Sequence, residues 1–109
     1  MKGVEQMTVR HIVTWNFKEE LSESERNEHG KKIKEELEIL PKHIEGIVYL
    51  KVHYDLLSSS NKDIVLDSVF ESEEALMAYQ AHPEHRKVSK YVGMVAKDRA
   101  CVDYFEEEN

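Results

Sequence analysis

Gly46-Ile47-Val48-Tyr49-Leu50-Lys51-Val52-His53-Tyr54, the turn formers Ser58-Ser59-Ser60-Asn61, and Asp63-Ile64-Val65-Leu66-Asp67-Ser68-Val69-Phe70 form the stretch from which the fold is read. The first segment places Val48, Leu50, Val52 and Tyr54 on one face, the period of a strand. The last sets Ile64, Leu66, Ser68 and Phe70 opposite Val65, Asp67 and Val69. The loop from Leu57 to Lys62 is short and polar, so the two segments read as an antiparallel hairpin. A helix is expected on either side of this hairpin, and a strand beyond each helix.

Upstream, Ser22 with Glu25 three residues later reads as a capping box, and Leu21 is placed for a hydrophobic staple. The helix that follows is expected to run to about Leu40. Its inward stripe is Arg26, His29 or Gly30, Ile33, Leu37 and Leu40, while Lys31, Lys32, Glu35 and Glu38 form a solvated face. Pro41 pushes Leu40 out of the helical region, and Gly46 supplies the turn into the next strand. Before the helix, Val9 to Phe17 alternates, with Val9, His11, Val13, Trp15 and Phe17 on one face and Arg10, Ile12, Thr14 and Asn16 on the other. His11 is the polar exception on an apolar face and requires a hydrogen-bond partner there. Met1 to Thr8 is polar and lacks periodicity. It is expected to be a flexible leader, with Met7 an alternative start.

Downstream, Ser72 with Glu73 and Glu74 caps a second helix whose inward face holds Leu76 and Tyr79 or Gln80. Pro83 restarts the helix, which carries Val88, Tyr91 or Val92, and Val95 inward. Arg99 to Phe105 reads as the fourth strand and Glu106 to Asn109 as a solvated acidic tail. The order is β-α-β-β-α-β, the split βαβ arrangement. The expected fold class is therefore α+β and ferredoxin-like: one domain over residues 9–105, with a four-stranded antiparallel sheet and the helices on one face. The opposite sheet face, with Ile12 and Thr14, stays uncovered, which signals a homodimer.

A chain of 109 residues supports one core. Its net charge of −7 and isoelectric point near 5.3 offer no basic face for nucleic acid or an anionic membrane. The lone Cys101 gives neither a disulfide framework nor a CxxC motif, so a reducing, cytoplasmic setting is expected. Apolar runs are too short to span a membrane, and the N-terminus lacks the apolar core of a signal peptide.

The chemistry concentrates in Tyr79-Gln80-Ala81-His82-Pro83-Glu84-His85. Pro83 fixes the backbone at the join of two helices, with His82 at or beside the N-cap and His85 in the first turn beyond. An imidazole that titrates near neutrality and a phenol that donates a proton can act as base and orienting acid, provided both face one cavity. Otherwise His82 caps, Tyr79 packs and His85 is merely exposed.

Val9-Arg10-His11-Ile12-Val13, Phe70-Glu71-Ser72, Tyr79 to His85 and Arg99-Ala100-Cys101-Val102-Asp103-Tyr104 together resemble the stress-responsive dimeric α/β-barrel (Dabb) domain family, over Val9 to Phe105. The resemblance implies a ferredoxin-like subunit and a barrel-like homodimer. It implies little about activity, since most members have no assigned reaction. Some plant members are cofactor-free polyketide cyclases that close a poly-β-keto thioester by an aldol reaction. Their Tyr-x-x-His-x-x-His spacing falls on Tyr79 and His85, and a cavity histidine falls on His11. A further cavity histidine on the third strand is here near Ile64. Trp15 replaces a smaller aliphatic and narrows the space.

Three readings follow. The first is a homodimer binding a small, partly apolar molecule between sheet and helices, with His11, Val13, Trp15, Ile64, Leu66 and His82 as binding residues. The second is a cofactor-free enzyme, cyclase-like or a cofactor-independent monooxygenase, in which His85 is the base and Tyr79 the orienting acid. The third is a metal site on His82 and His85 at i, i+3; no third and fourth ligands accompany them, so neither a metal nor another cofactor is expected.

Overall fold

The computed structural model describes residues 7–107. Its strands are β1 (Val9–Phe17), β2 (Ile47–His53), β3 (Ile64–Phe70) and β4 (Ala96–Phe105), and its helices α1 (Glu23–Glu38), α2 (Glu73–Ala81) and α3 (Pro83–Val95). The strands form one antiparallel sheet in the order β2-β3-β1-β4, with α1, α2 and α3 against one face. This is the ferredoxin-like α+β architecture. Apart from Met7 and Thr8, the expected leader lies outside the described residues.

Local chemistry sets the element ends. Ser22 accepts from the Glu25 amide at 3.1 Å while Glu25 accepts from the Ser22 amide at 2.8 Å, so the capping box is complete. The α-helix stops at Glu38, earlier than Leu40, because Pro41 draws Leu40–Lys42 into a tighter 3-10 turn. Gly30, Ile33, Leu37 and Leu40 are buried along the inward stripe. A side chain at Gly30 would meet the Tyr54 ring, since a Cβ there would lie 2.5 Å from Tyr54 Cδ2.

Two irregularities depart from plain alternation. The register between β2 and β3 shifts between Ile47 and Tyr49, so Ile47 packs against the core and Val48 is 58% exposed, not inward with Leu50 and Val52. The register between β1 and β4 shifts between Thr14 and Asn16, opposite a β4 that begins at Ala96, three residues before the expected Arg99. Asp98 there adopts a left-handed conformation, φ 56°, tolerable for an aspartate that bonds locally. Its carboxylate accepts from Asn16 Nδ2 at 3.1 Å, and its carbonyl accepts from Lys62 Nζ at 2.7 Å. Glu106, read as the start of a solvated tail, instead accepts from Thr8 Oγ1 at 3.0 Å and from Arg10 Nε at 2.9 Å.

The core lies between sheet and helices, built on Val9, Val13, Phe17, Ile64, Leu66 and Phe70 from the central strands. Among the described residues, no helix is long and apolar enough to cross a membrane.

Candidate functional site

The helix-facing side of β1 carries His11, Val13 and Trp15 to a cavity of about 250 Å³ under α2 and α3. Leu37, Leu66 and Val92 supply apolar wall; Tyr79 and Gln80 come from α2, and His85 and Ser89 from α3. Ala96, Lys97, Asp98 and Arg99 complete it from the start of β4, beside the register shift. Trp15 forms part of the wall and does not fill the space beside Tyr79. Six of the eight sequence-predicted site residues therefore share one cavity: His11, Val13, Trp15, Leu66, Tyr79 and His85. Ile64 does not line it and is fully buried in the core. His82 is the N-cap of α3, its Nδ1 accepting from the Glu84 amide at 3.1 Å.

Tyr79 is fully buried, and its hydroxyl has no hydrogen-bond partner among the described residues. Burial raises its pKa well above the ordinary phenol value, against a smaller lowering by the Arg99 charge, so at neutral pH it is a donor. The Tyr79 and His85 rings lie 4.2 Å apart between centroids and tilted by 43°. Burial pushes the His85 imidazole below its usual value. The Gln80 carbonyl, 3.3 Å from Nδ1, works in the opposite direction, and the charges of His11 and Arg99 lower it further. His85 is thus neutral at pH 7.

His11 is buried at 2% exposure, edge-on to Tyr79 with centroids 6.3 Å apart. Its partner is Asp103, directly across the β1–β4 pair, with Nδ1 to Oδ1 at 2.5 Å. A carboxylate only accepts, so Nδ1 carries the proton. Cys101 Sγ lies 3.8 Å from the same nitrogen. His11, Cys101 and Asp103 are a three-donor group found among the described residues, their ligating atoms within 4.8 Å of one another, and are the residues able to hold a metal. His11 Nδ1 would have to give up Asp103 to do so. Sequence reading missed Asp103 and Arg99. The signal for Asp103 was its place in the β1–β4 register, which the strand boundaries alone do not supply.

These features place the protein among the ferredoxin-like α+β domains with a polar-lined cavity between sheet and helices. The chain belongs to the stress responsive A/B barrel domain (Dabb) family, whose sequence profile matches residues 9–106. It is similar to a dimeric protein of unknown function and ferredoxin-like fold from Bacteroides fragilis, at 29% identity over 91% of this chain and 96% of that one, TM-score 0.85. A dimeric ferredoxin-like protein of unknown function from Thermobifida fusca superimposes with TM-score 0.78 at 23% identity, covering 97% of each chain. The hydroxynitrile lyase of Passiflora edulis shares the fold, with TM-score 0.77 at 18% identity over 95% of this chain and 97% of its own. No curated protein matches the sequence at a significant level.

Proposed function

We propose that this protein is a homodimer that binds a small, partly apolar, oxygen-bearing molecule between sheet and helices, with the Tyr79 hydroxyl donating to the ligand oxygen. The single observation that carries this reading is that hydroxyl, fully buried at the cavity and without a hydrogen-bond partner among the described residues. A buried donor left unmatched costs about 1–3 kcal/mol, a cost that a ligand acceptor removes. Apolar cavities of about 150 Å³ take benzene, so the roughly 250 Å³ here suits a substituted ring. Self-association is supported by the dimeric Bacteroides fragilis and Thermobifida fusca relatives.

Acetophenone is a suitable probe, having one carbonyl and one ring. Titration followed by NMR should shift the Tyr79 and His85 ring signals. Tyr79→Phe should weaken binding about 5- to 10-fold, the equivalent of about 1–1.5 kcal/mol for one hydrogen bond. The same variant should be no less stable than wild type without ligand, because the hydroxyl it removes is unmatched. Equal affinity in Tyr79→Phe, or shifts confined to another face, would overturn the reading.

A second reading is favoured by the neutral His85 beside Tyr79. In a cofactor-free enzyme, His85 would take a proton from the carbon next to the carbonyl while Tyr79 holds the enolate oxygen. The fold is compatible with catalysis, as the Passiflora edulis enzyme illustrates, but fold likeness transfers no reaction. In D2O this chemistry would deuterate the acetophenone methyl group, and His85→Ala would slow it about 10²- to 10⁴-fold. Binding without deuteration would leave the protein a binder.

A further inference from the structure

Three charged side chains line the cavity at the start of β4: Lys97, Asp98 and Arg99. Two of them are engaged elsewhere. Lys97 Nζ donates to Glu19 Oε1 at 2.7 Å, and the Asp98 carboxylate accepts from Asn16 at 3.1 Å. Arg99 has no carboxylate partner among the described residues, in a chain with 22 acidic side chains and a net charge of −7. Arg86 on α3 lacks one as well, so what singles out Arg99 is its place in the cavity wall. The register shift between Thr14 and Asn16 lies beside it, an irregularity of the kind that turns side chains toward sites.

We propose that Arg99 is the anion-binding residue of this cavity and that the ligand is a small organic carboxylate with a carbonyl oxygen, an oxo acid. This inference rests on the pocket reading above and specifies the ligand class. At the deep end the donor without a partner among the described residues is the neutral Tyr79 hydroxyl, which matches a carbonyl. The β4 end offers a guanidinium, whose planar fork pairs with a carboxylate through two hydrogen bonds. Val13, Trp15, Leu66 and Val92 of the same lining supply apolar wall for the rest of the molecule. The Arg99 charge also acts on both deep groups, lowering Tyr79 and His85, though in each case burial is the larger cause. Binding an anion at Arg99 would neutralise that charge.

The test compares acetophenone with two aryl oxo acids of different reach, phenylglyoxylate and 3-benzoylpropionate, by calorimetry in 50 mM salt. At least one acid should bind wild type about ten-fold or more tighter than acetophenone. Arg99→Gln should abolish that advantage, read as the ratio of acid to ketone affinity within the same variant, and 500 mM salt should erode it. Tyr79→Phe should weaken ketone and acid alike. If acetophenone binds and neither acid binds tighter, or if the advantage survives in Arg99→Gln, the anion inference fails and the pocket reading stands. If none of the three binds, both fail. Arg99 is exposed on β4, so Arg99→Gln folds, and circular dichroism checks this directly.

Discussion

His85 shows how a single side chain couples burial to pH. In the folded chain burial holds its imidazole below the ordinary value, while the unfolded chain titrates near 6.5. Between those two values the unfolded state binds more protons, so stability falls as pH drops. The His85 contribution is fully present above about pH 6.5 and is lost progressively as pH falls toward the folded value. Urea melts of wild type and His85→Gln at pH 7.5, 6.5 and 5.5 should show the wild type losing ground to the variant at each step. A pH-independent difference would show that His85 is solvated in the folded state. At this scale the sequence disclosed the residues but not their partners. His11 was legible as a polar group on an apolar face. Asp103 was not, because the pair forms across strands far apart in sequence, and the register that unites them depends on a shift near Trp15.

Gly30 in α1 illustrates an element held by a neighbour. Alanine is ordinarily favoured over glycine in a helix by about 1 kcal/mol, but here a Cβ would meet three atoms of the Tyr54 ring at 2.5 to 3.0 Å. Overpacking of that kind costs about 1–3 kcal/mol, so Gly30→Ala should destabilise the protein by about 1 kcal/mol net. In a Tyr54→Leu background the obstruction is gone, and the same change should become neutral or stabilising. A denaturation cycle over the four proteins checks the sign reversal; an equal cost in both backgrounds would mean that Tyr54 is not the obstacle. Elements were the most legible scale, since the capping box of α1, the limits of β1 and the break at Pro83 follow from nearby residues. The two register shifts were hidden for the opposite reason. Each inserts one residue without changing composition, so alternation reads straight through Val48, and β4 is recognised only after Asp98.

The whole molecule poses the question of what covers the second face of the sheet. Ile12 and Thr14 of β1 pair there with Val102 and Ala100 of edge strand β4, beside Val65 and Val69 of β3. Val102 is 56% and Tyr104 48% exposed, a large apolar display for a small domain. Among the cations on this face, Arg10 is already matched by Asp67 at 2.7 Å and Glu106 at 2.8 Å, while Lys51 of edge strand β2 stands exposed opposite Asp67. A second copy related by a two-fold axis presents the same mixture and can cover it. Size-exclusion chromatography with light scattering should therefore give a two-subunit species at micromolar concentration. Val102→Asp distinguishes this arrangement from association elsewhere. In a lone chain the new carboxylate stays in water at an already exposed position, so the fold and its circular dichroism should be retained. In a face-to-face dimer it would be buried without a partner, at a cost of several kcal/mol, enough to shift the variant to monomer at the same concentration. A wild-type monomer would remove the dimer, and a Val102→Asp dimer of undiminished stability would move its interface off this face.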